Sequence, residues 1–261
     1  FLTNDPYSCR GAISHLPDWL VLQPIFKDHR VIAWSAMFGH MTDVGGKVPG
    51  SLPVDSNQIY EEGIMIPPTK IYKKGKLNSE ILELILHNCR LPEWNRADFN
   101  ALIAALRIAE KRCIEIAERF GDDNFIEAME QMLDRNKRAM SAIIGMFVPE
   151  KKAYFEDYIC DDGIGMGPYK VACTLHRDKN GVAVFDFEGT DPQSMSSVNF
   201  MLNEEMFKMF LGAFTINIFD PQILFNDGFY DLVDVRIPAG TILKPMKPAS
   251  LSSRTHMLGR I

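Results

Sequence analysis

The residues best suited to chemistry in this chain form two short motifs of the type His-x-x-Asp. The first motif pairs His15 with Asp18, and the second pairs His40 with Asp43 just before a glycine-rich loop. Two imidazoles and one carboxylate make a ligand set that holds a divalent metal and leaves coordination positions open. A catalytic metal needs such open positions to polarise a substrate oxygen. The pattern therefore predicts a metal site formed by His15, Asp18 and His40.

The segment between the two motifs has the composition of two β-strands. Residues 19–26 and 31–38 are rich in β-branched and aromatic side chains, and a short polar connection joins them. If the strands pair as a hairpin, their far ends meet and bring His15 and Asp18 close to His40. The apolar runs are nearly continuous, which predicts burial on both faces of the sheet.

Two further carboxylates lie in or beside these motifs. We assign His40 and Asp43 as candidate catalytic residues, and we consider Asp5 and Asp43 as groups that orient an imidazole or add a ligand. His-x-x-Asp sequences also occur by chance, so an ordinary structural role for both motifs stays open.

Three other polar clusters are weaker candidates. Residues 161–167 are rich in Asp and Gly but lack the Lys-Ser/Thr of a P-loop, and a tight turn between strands is the preferred interpretation. His87 and His176 have no acidic partner at ligand spacing and are interpreted as structural. Arg254 and His256 could bind an anion, although a position on the surface is the simpler interpretation.

Composition excludes two classes of partner and favours one compartment. The formal net charge is −6 and no basic stripe is present, which argues against nucleic-acid binding. No apolar run reaches the roughly 18 residues that a membrane-spanning helix needs, and the first residues do not resemble a signal peptide. The five cysteines are odd in number and contain no Cys-x-x-Cys pair. Free thiols in a reducing compartment, and hence a cytoplasmic protein, are therefore expected.

The order of the predicted elements indicates the α+β class, with mixed β-sheets and a long αα-hairpin. We divide the chain into a metal-site strand and loop region over residues 1–77, a helical hairpin over 78–148, and a mixed strand and helix region over 149–261. Within the first region, Gly and Pro punctuate residues 42–68, which predicts a long loop. All three regions are expected to belong to one catalytic unit.

The helical hairpin has the clearest periodicity in the chain. Apolar residues recur at three- and four-residue steps from the cap residue Asp98 onward, and again over residues 122–147. Gly121 lies between the two helices as the residue that ends the first. The pattern predicts an antiparallel pair with its apolar stripe buried, including Leu106 and Cys113.

The third region predicts strands and one helix. Residues 153–159, 169–176 and 182–188 have the composition of strands, and residues 178–181 form a hairpin connection between the last two. Residues 194–214 predict a helix.

Taken together, the motifs resemble the hydantoinase B/oxoprolinase family, and the similarity runs along the whole chain. The most specific block is Asn4-Asp5-Pro6-Tyr7, His15-Leu16-Pro17-Asp18 and Gly39-His40-Met41-Thr42-Asp43-Val44-Gly45-Gly46. Further matches are Glu61-Glu62-Gly63, Asn88-Cys89-Arg90, Asp186-Phe187-Glu188-Gly189-Thr190, Pro238-Ala239-Gly240-Thr241 and Arg254-Thr255. Members of this family are longer than this chain, which begins without Met. We therefore interpret the sequence as an internal fragment of a longer polypeptide.

The resemblance implies a cofactor and a partner. In the ketone carboxylases of this family, the residues that match His15, Asp18 and His40 hold a divalent metal, typically manganese, with zinc or iron as the other options. ATP is used by a separate, actin-like subunit of the hydantoinase A type. The chain itself is therefore not expected to bind ATP.

The resemblance leaves three functions open. Segments around Glu61 and Asp161 resemble the ketone carboxylases most, which implies the catalytic subunit of an acetone- or acetophenone-type carboxylase. There the metal would stabilise an enolate that attacks CO2. The alternative is an ATP-dependent hydantoinase or 5-oxoprolinase, which opens a cyclic amide. The third option is a structural subunit whose metal only stabilises the fold.

Overall fold

The computed structural model describes residues 1–219, 225–254 and 259–260. Over these ranges the chain forms three β-sheets and four α-helices, with helices and strands grouped along the chain rather than strictly alternating. The predicted α+β class is therefore confirmed. The division into three regions stays a prediction.

The first sheet is antiparallel and contains the predicted hairpin. Its strands are β1 (Leu2–Thr3), β2 (Asp18–Lys27) and β3 (Arg30–His40), in the order β1-β2-β3. Both strands predicted from composition are confirmed, and each is longer than its apolar run. Pairing continues to the far end of the hairpin, where Asp18 lies opposite His40.

Three helices follow the first sheet and a small two-stranded hairpin. The hairpin consists of β4 (Tyr72–Lys73) and β5 (Lys76–Leu77). The helices are α1 (Ser79–His87), α2 (Pro92–Phe120) and α3 (Asp122–Phe147). Two long helices joined at one residue agree with the predicted helical hairpin.

Helix α2 begins earlier than predicted. Pro92 lies in its first turn, where the missing N–H of proline needs no partner and its fixed φ suits a helix. Asp98 is therefore inside the helix and does not cap it. Gly121 has a φ of 87° and ends α2, as predicted.

The two long helices contact each other, and each contributes to a different core. Leu102 and Leu106 of α2 are buried with residues of the first sheet, whereas Ile143 and Ile144 of α3 are buried in a second core. Burial of Leu106 is confirmed, but Cys113 is only half-buried. Residues of the predicted stripe that are exposed are Ile116, Phe120, Met132, Leu133 and Phe147. The apolar stripe is thus buried only where α2 packs against the first core and α3 packs against the second.

The outer face of β3 is open to solvent. The side chains of Trp34 and Phe38 are exposed, whereas Trp19 and Val21 of β2 are fully buried. The prediction that both faces of this hairpin are buried is therefore wrong. Helix α2 contacts both strands, and an antiparallel sheet needs only one covered face.

The remaining elements form the second core. Strands β6 (Ala153–Ile159), β7 (Tyr169–Arg177), β8 (Ala183–Asp186) and β9 (Val233–Arg236) make one sheet in that order, and helix α4 (Glu204–Phe219) contacts β9. Strand β7 pairs with β6 and with β8 in antiparallel orientation, whereas β8 and β9 are parallel. The three strands predicted in this region are confirmed.

The helix predicted over residues 194–214 is wrong in its first part. The N–H of Ser194 donates to Asn199 Oδ1 at 2.7 Å, and Asn199 Nδ2 donates to the carbonyl of Ser194 at 3.0 Å. Such bonds between side chains and backbone compete with helix formation. Helix α4 begins only after Asn203, whose side chain accepts from the N–H of Glu205 at 2.8 Å.

Two observations concern the cysteines and the helices. All five cysteines carry free thiols. The described helices include none that is long and apolar enough to cross a bilayer.

Candidate metal centre

The register of the β2–β3 hairpin builds the centre. Asp18 is the first residue of β2 and His40 is the last residue of β3, so the two side chains lie side by side on paired strands. His15 precedes them on a tight turn in which the N–H of Asp18 donates to the carbonyl of His15 at 3.3 Å. The N–H of Met41 donates to the carbonyl of Pro17 at 2.7 Å and holds this turn against the end of β3.

The three predicted ligands converge. Asp18 Oδ1 lies 3.0 Å from His40 Nδ1, and Asp18 Oδ2 lies 2.9 Å from His15 Nδ1. The two imidazole centres are 5.0 Å apart, and one ligand atom from each residue lies within 4.8 Å of the others. His15 and Asp18 are buried, whereas the side chain of His40 is 51% exposed. The cluster is therefore open to solvent on the His40 side.

The protonation states of the buried members suit metal binding. Burial lowers the pKa of His15 and keeps its imidazole neutral, although Asp18 opposes this shift. Burial alone would raise the pKa of Asp18, but the two imidazoles and Arg254 outweigh it and hold that pKa well below its usual range. A neutral imidazole and an ionised carboxylate are the forms that bind cations.

The hydrogen bonding of His15 also fits a metal site. Nδ1 of His15 is buried and has no aligned hydrogen-bond partner among the described residues, although Asp18 Oδ2 is only 2.9 Å away. A buried nitrogen without a partner costs free energy, which a bound cation would offset. The donor set of two imidazoles and one carboxylate fits manganese, iron or zinc.

Asp43 does not join this cluster. Its carboxylate accepts bonds from the N–H groups of Gly45, Gly50 and Arg90, and from the Arg90 guanidinium at 3.0 Å. Burial would raise the pKa of Asp43, but these donors lower it. These contacts show that the Asp43 carboxylate holds the glycine-rich loop together and ties it to Arg90. The catalytic role of Asp43 stays a prediction. Asp5 is also occupied locally, by the N–H of Tyr7 and the hydroxyl of Ser8.

Arg254 is a member of the site that sequence reasoning placed at the surface. Its Nη2 lies 3.4 Å from His15 Nε2 and 3.4 Å from Asp18 Oδ2, and its side chain is only 14% exposed. The sequence signal that could have indicated this position is the match of Arg254-Thr255 to the family pattern. His256, the other residue of that predicted polar cluster, lies outside the described residues.

Glu62 anchors the segment that carries Arg254. Its Oε1 accepts from the hydroxyl of Ser250 and from the N–H groups of Leu251 and Ser252. The side chain is fully buried, and its Oε2 has no hydrogen-bond partner in the described part of the chain. Burial raises the pKa of Glu62 to about 7, although the donors to Oε1 lower it.

The raised pKa of Glu62 predicts a dependence of stability on pH. The folded chain holds this proton more tightly than the unfolded chain, so the stabilisation is complete below the unfolded pKa of 4.5 and is lost as the pH rises through 7. Relative to Glu62→Gln, the free energy of unfolding should fall by about 3 kcal/mol over this range. Urea unfolding at several pH values measures it. Parallel pH profiles for both proteins would contradict the prediction.

The weaker candidates do not belong to the group formed by His15, Asp18 and His40. Residues 161–167 form the predicted turn, in which Asp162 Oδ1 accepts from the N–H groups of Ile164 and Met166. His87 is exposed at the end of α1 and His176 lies on β7. The one group of three metal-binding side chains found in the described part of the chain is His15, Asp18 and His40.

Comparison with known proteins identifies the family of this sequence. The sequence profile described as hydantoinase B/oxoprolinase matches residues 1–261. The chain belongs to the hydantoinase B/oxoprolinase family. The predicted resemblance is thereby confirmed, whereas the metal site at His15, Asp18 and His40 stays a prediction.

Two relatives and one solved structure illustrate the family. Caprolactamase subunit beta of Pseudomonas jessenii is 28% identical over 90% of this chain, which covers 40% of that protein. The acetophenone carboxylase delta subunit of Aromatoleum aromaticum is 27% identical over 71% of this chain, which covers 27% of it. The fold is similar to nucleotide-free acetone carboxylase, with a TM-score of 0.87, 19% identity, and coverage of 99% of this chain and 35% of that one. The hydantoinase B-type chain thus spans less than half the length of these relatives.

Proposed function

We propose that this chain provides the metal-binding catalytic site of an ATP-dependent carboxylase that acts on a small ketone, as in acetone or acetophenone carboxylation. The observation that carries the proposal is the convergence of His15, Asp18 and His40 at the open end of one hairpin. Manganese is the ion proposed, with zinc or iron as alternatives. When bound, the ion would act as a Lewis acid on a substrate oxygen.

The chain's own residues hold and expose this site. Asp18 contacts both imidazoles and supplies the single negative charge of the ligand set. His15 is buried and therefore held in place by its neighbours. His40 borders the solvent and is the ligand nearest to an entering substrate. An arrangement that is closed on one side and open on the other suits catalysis better than a purely structural ion, for which we would expect a closed ligand set.

Cyclic-amide hydrolysis is the second candidate function. The caprolactamase subunit matches 90% of the chain, whereas the acetophenone carboxylase subunit matches 71%. Ring opening also requires polarisation of a carbonyl oxygen, so the same three ligands would serve it. Bicarbonate-dependent ATP consumption with ketones, compared with ATP consumption with lactams and hydantoins, separates the two functions.

We propose that ATP is used by a partner subunit of the hydantoinase A type, with an actin-like fold. The sequence has no glycine-rich loop followed by Lys and Ser or Thr. The glycine-rich residues 161–167 carry acidic side chains, which repel a triphosphate. A cytoplasmic location is proposed as well, because five free cysteines without a disulfide among them are typical of a reducing compartment.

Substitution of His40 tests the division of labour. In the full-length protein assembled with its ATPase partner, His40→Ala should lower product formation at least about 100-fold, because one of three ligands is lost. ATP splitting by the partner should continue, and His87→Ala, at an exposed histidine on α1, should leave turnover unchanged. Phosphate release and product are measured in the same reaction. Unchanged turnover in His40→Ala, or ATP hydrolysis by this chain alone, would contradict the proposal.

A further inference from the structure

Strand β6 lies at one edge of the second sheet. In the described part of the chain, the strand order β6-β7-β8-β9 leaves the outer edge of β6 unpaired. Both faces of its first half are open to solvent, because residues 153–156 are all exposed. Every second backbone N–H and C=O of such a strand points away from the sheet, where another strand can bind them. The edge of β6 is therefore suited to strand addition.

An apolar groove opens beside this edge. It has a volume of about 220 Å³, and its walls include Ala153, Phe155, Phe185 and Phe207. Ala153 and Phe155 lie two positions apart and so point to the same face of β6. The side chain of Phe155 is 62% exposed. Apolar surface in contact with water costs free energy, so an apolar side chain on the added strand would be stabilised in this groove.

The charges along β6 indicate which strand is added. Lys152 directly precedes β6, and Glu156 follows four positions later on the same face; both are exposed. The hydroxyl groups of Tyr154 and Tyr158 donate to the Glu156 carboxylate at 2.6 and 2.9 Å. These bonds lower the pKa of Glu156 and keep it ionised. A positive and a negative side chain at this spacing complement each other when the same strand is reversed.

We propose that β6 pairs with β6 of a second copy of this chain, in antiparallel orientation about a two-fold axis at Tyr154. The two sheets then form one continuous sheet. This register sets Lys152 opposite Glu156 of the second copy, and the two-fold axis repeats the pair. It also sets Phe155 of the second copy beside Ala153, whose small side chain leaves room in the groove. The inference is independent of the function proposed above.

The charge pattern selects this register. Opposite residues of an antiparallel pair point to the same face, so a two-fold axis perpendicular to the sheet must lie level with a residue. An axis at Glu156 sets two carboxylates against each other, which is destabilising. An axis at Phe155 sets Lys152 opposite Tyr158, and no opposite charges pair. Of these three registers, only the one at Tyr154 pairs opposite charges. Such self-complementarity favours a second copy over an unrelated segment.

Disulfide trapping in the full-length protein tests the pairing and its register. Opposite residues of an antiparallel pair have Cα atoms about 4.5–5.5 Å apart, which a disulfide can bridge. Tyr154→Cys should therefore link to its own copy under mild oxidation, and a mixture of Lys152→Cys and Glu156→Cys should give a mixed link. Glu156→Cys alone is the matched control, because its two copies lie about 14 Å apart, too far for a disulfide. Peptide mass spectrometry separates these links from links through native cysteines such as Cys160.

Charge reversal tests the same pairing without a covalent bond. Lys152→Glu sets like charges opposite each other at two places, so the dissociation constant of the dimer should rise about tenfold or more in sedimentation experiments. The double variant Lys152→Glu/Glu156→Lys exchanges both charges and should restore the wild-type value. Lys179→Glu, at an exposed lysine in the turn between β7 and β8, should leave the dimer unchanged.

Each outcome decides the inference, and circular dichroism confirms that each variant is folded. A link at Tyr154→Cys together with rescue by the double variant supports the proposal. If another segment of the full-length polypeptide or a partner subunit covers β6, Tyr154→Cys stays unlinked and charge reversal has no effect. That result would overturn the proposal, as would a monomeric wild type. A link formed by Glu156→Cys alone would overturn the register at Tyr154.

Discussion

Replacing Asp18 by Asn is expected to abolish the binding of the divalent ion proposed for this site. Asp18 contacts both imidazoles of the cluster and is its only charged ligand. Asn has nearly the same size but no negative charge, so the affinity for Mn²⁺ should fall at least about 100-fold. Calorimetric titration with Mn²⁺ and Zn²⁺, together with elemental analysis of the purified protein, measures the effect. Tight binding by Asp18→Asn would show that the cluster is not the metal site.

Asp43→Asn is the matched control, because Asp43 is a buried aspartate in a motif of the same form. The structure pairs its carboxylate with Arg90 and with N–H groups of the glycine-rich loop. Metal affinity should therefore stay at the wild-type value, while the free energy of unfolding drops by about 1–3 kcal/mol. The opposite pattern, with the metal lost in Asp43→Asn and kept in Asp18→Asn, would place the ion at the second motif.

Replacing Leu106 by Asp is expected to destabilise the first core severely. Leu106 is 3% exposed and packs with the buried residues of the first sheet. The substitution removes apolar contacts and buries a carboxylate without a partner, which should cost about 4 kcal/mol or more. Urea unfolding followed by circular dichroism measures the loss.

The control for this prediction lies two positions further along the same helix. Ile108 is 62% exposed, so Ile108→Asp should change the free energy of unfolding by only about 0.5 kcal/mol. The comparison holds the helix and the introduced side chain constant and varies burial alone. Equal destabilisation by both substitutions would show that the buried face of α2 is misassigned.

The sequence by itself determined the ligand types and their convergence. Strand-forming residues between His15 and His40 predicted a hairpin, and a hairpin must bring its two far ends together. The same local logic predicted the helices on either side of Gly121 and the strands after residue 149. In each case the cause is periodicity and turn chemistry over short stretches of chain, which a sequence displays directly.

Tertiary structure decided whether Asp43 joins the three predicted ligands. Asp18 and Asp43 occupy the same place in their motifs, but Asp18 begins β2 opposite His40, whereas Asp43 lies beyond β3 and turns to Arg90. The sequence pattern left Asp43 open as a further ligand, because its role depends on where β3 ends and on its distant partner Arg90.

Long-range contacts decided the rest of the centre. Arg254 reaches Asp18 across 236 positions, and Glu62 reaches Ser250 across 188. Both pairings arise because residues 250–254 pack against the loop before β4 and against the start of β2, and no periodicity or spacing in a sequence encodes such a contact. Residue types and hairpin register therefore determined the candidate metal ligands, whereas the packing of chain segments far apart in sequence placed the charge of Arg254 beside them.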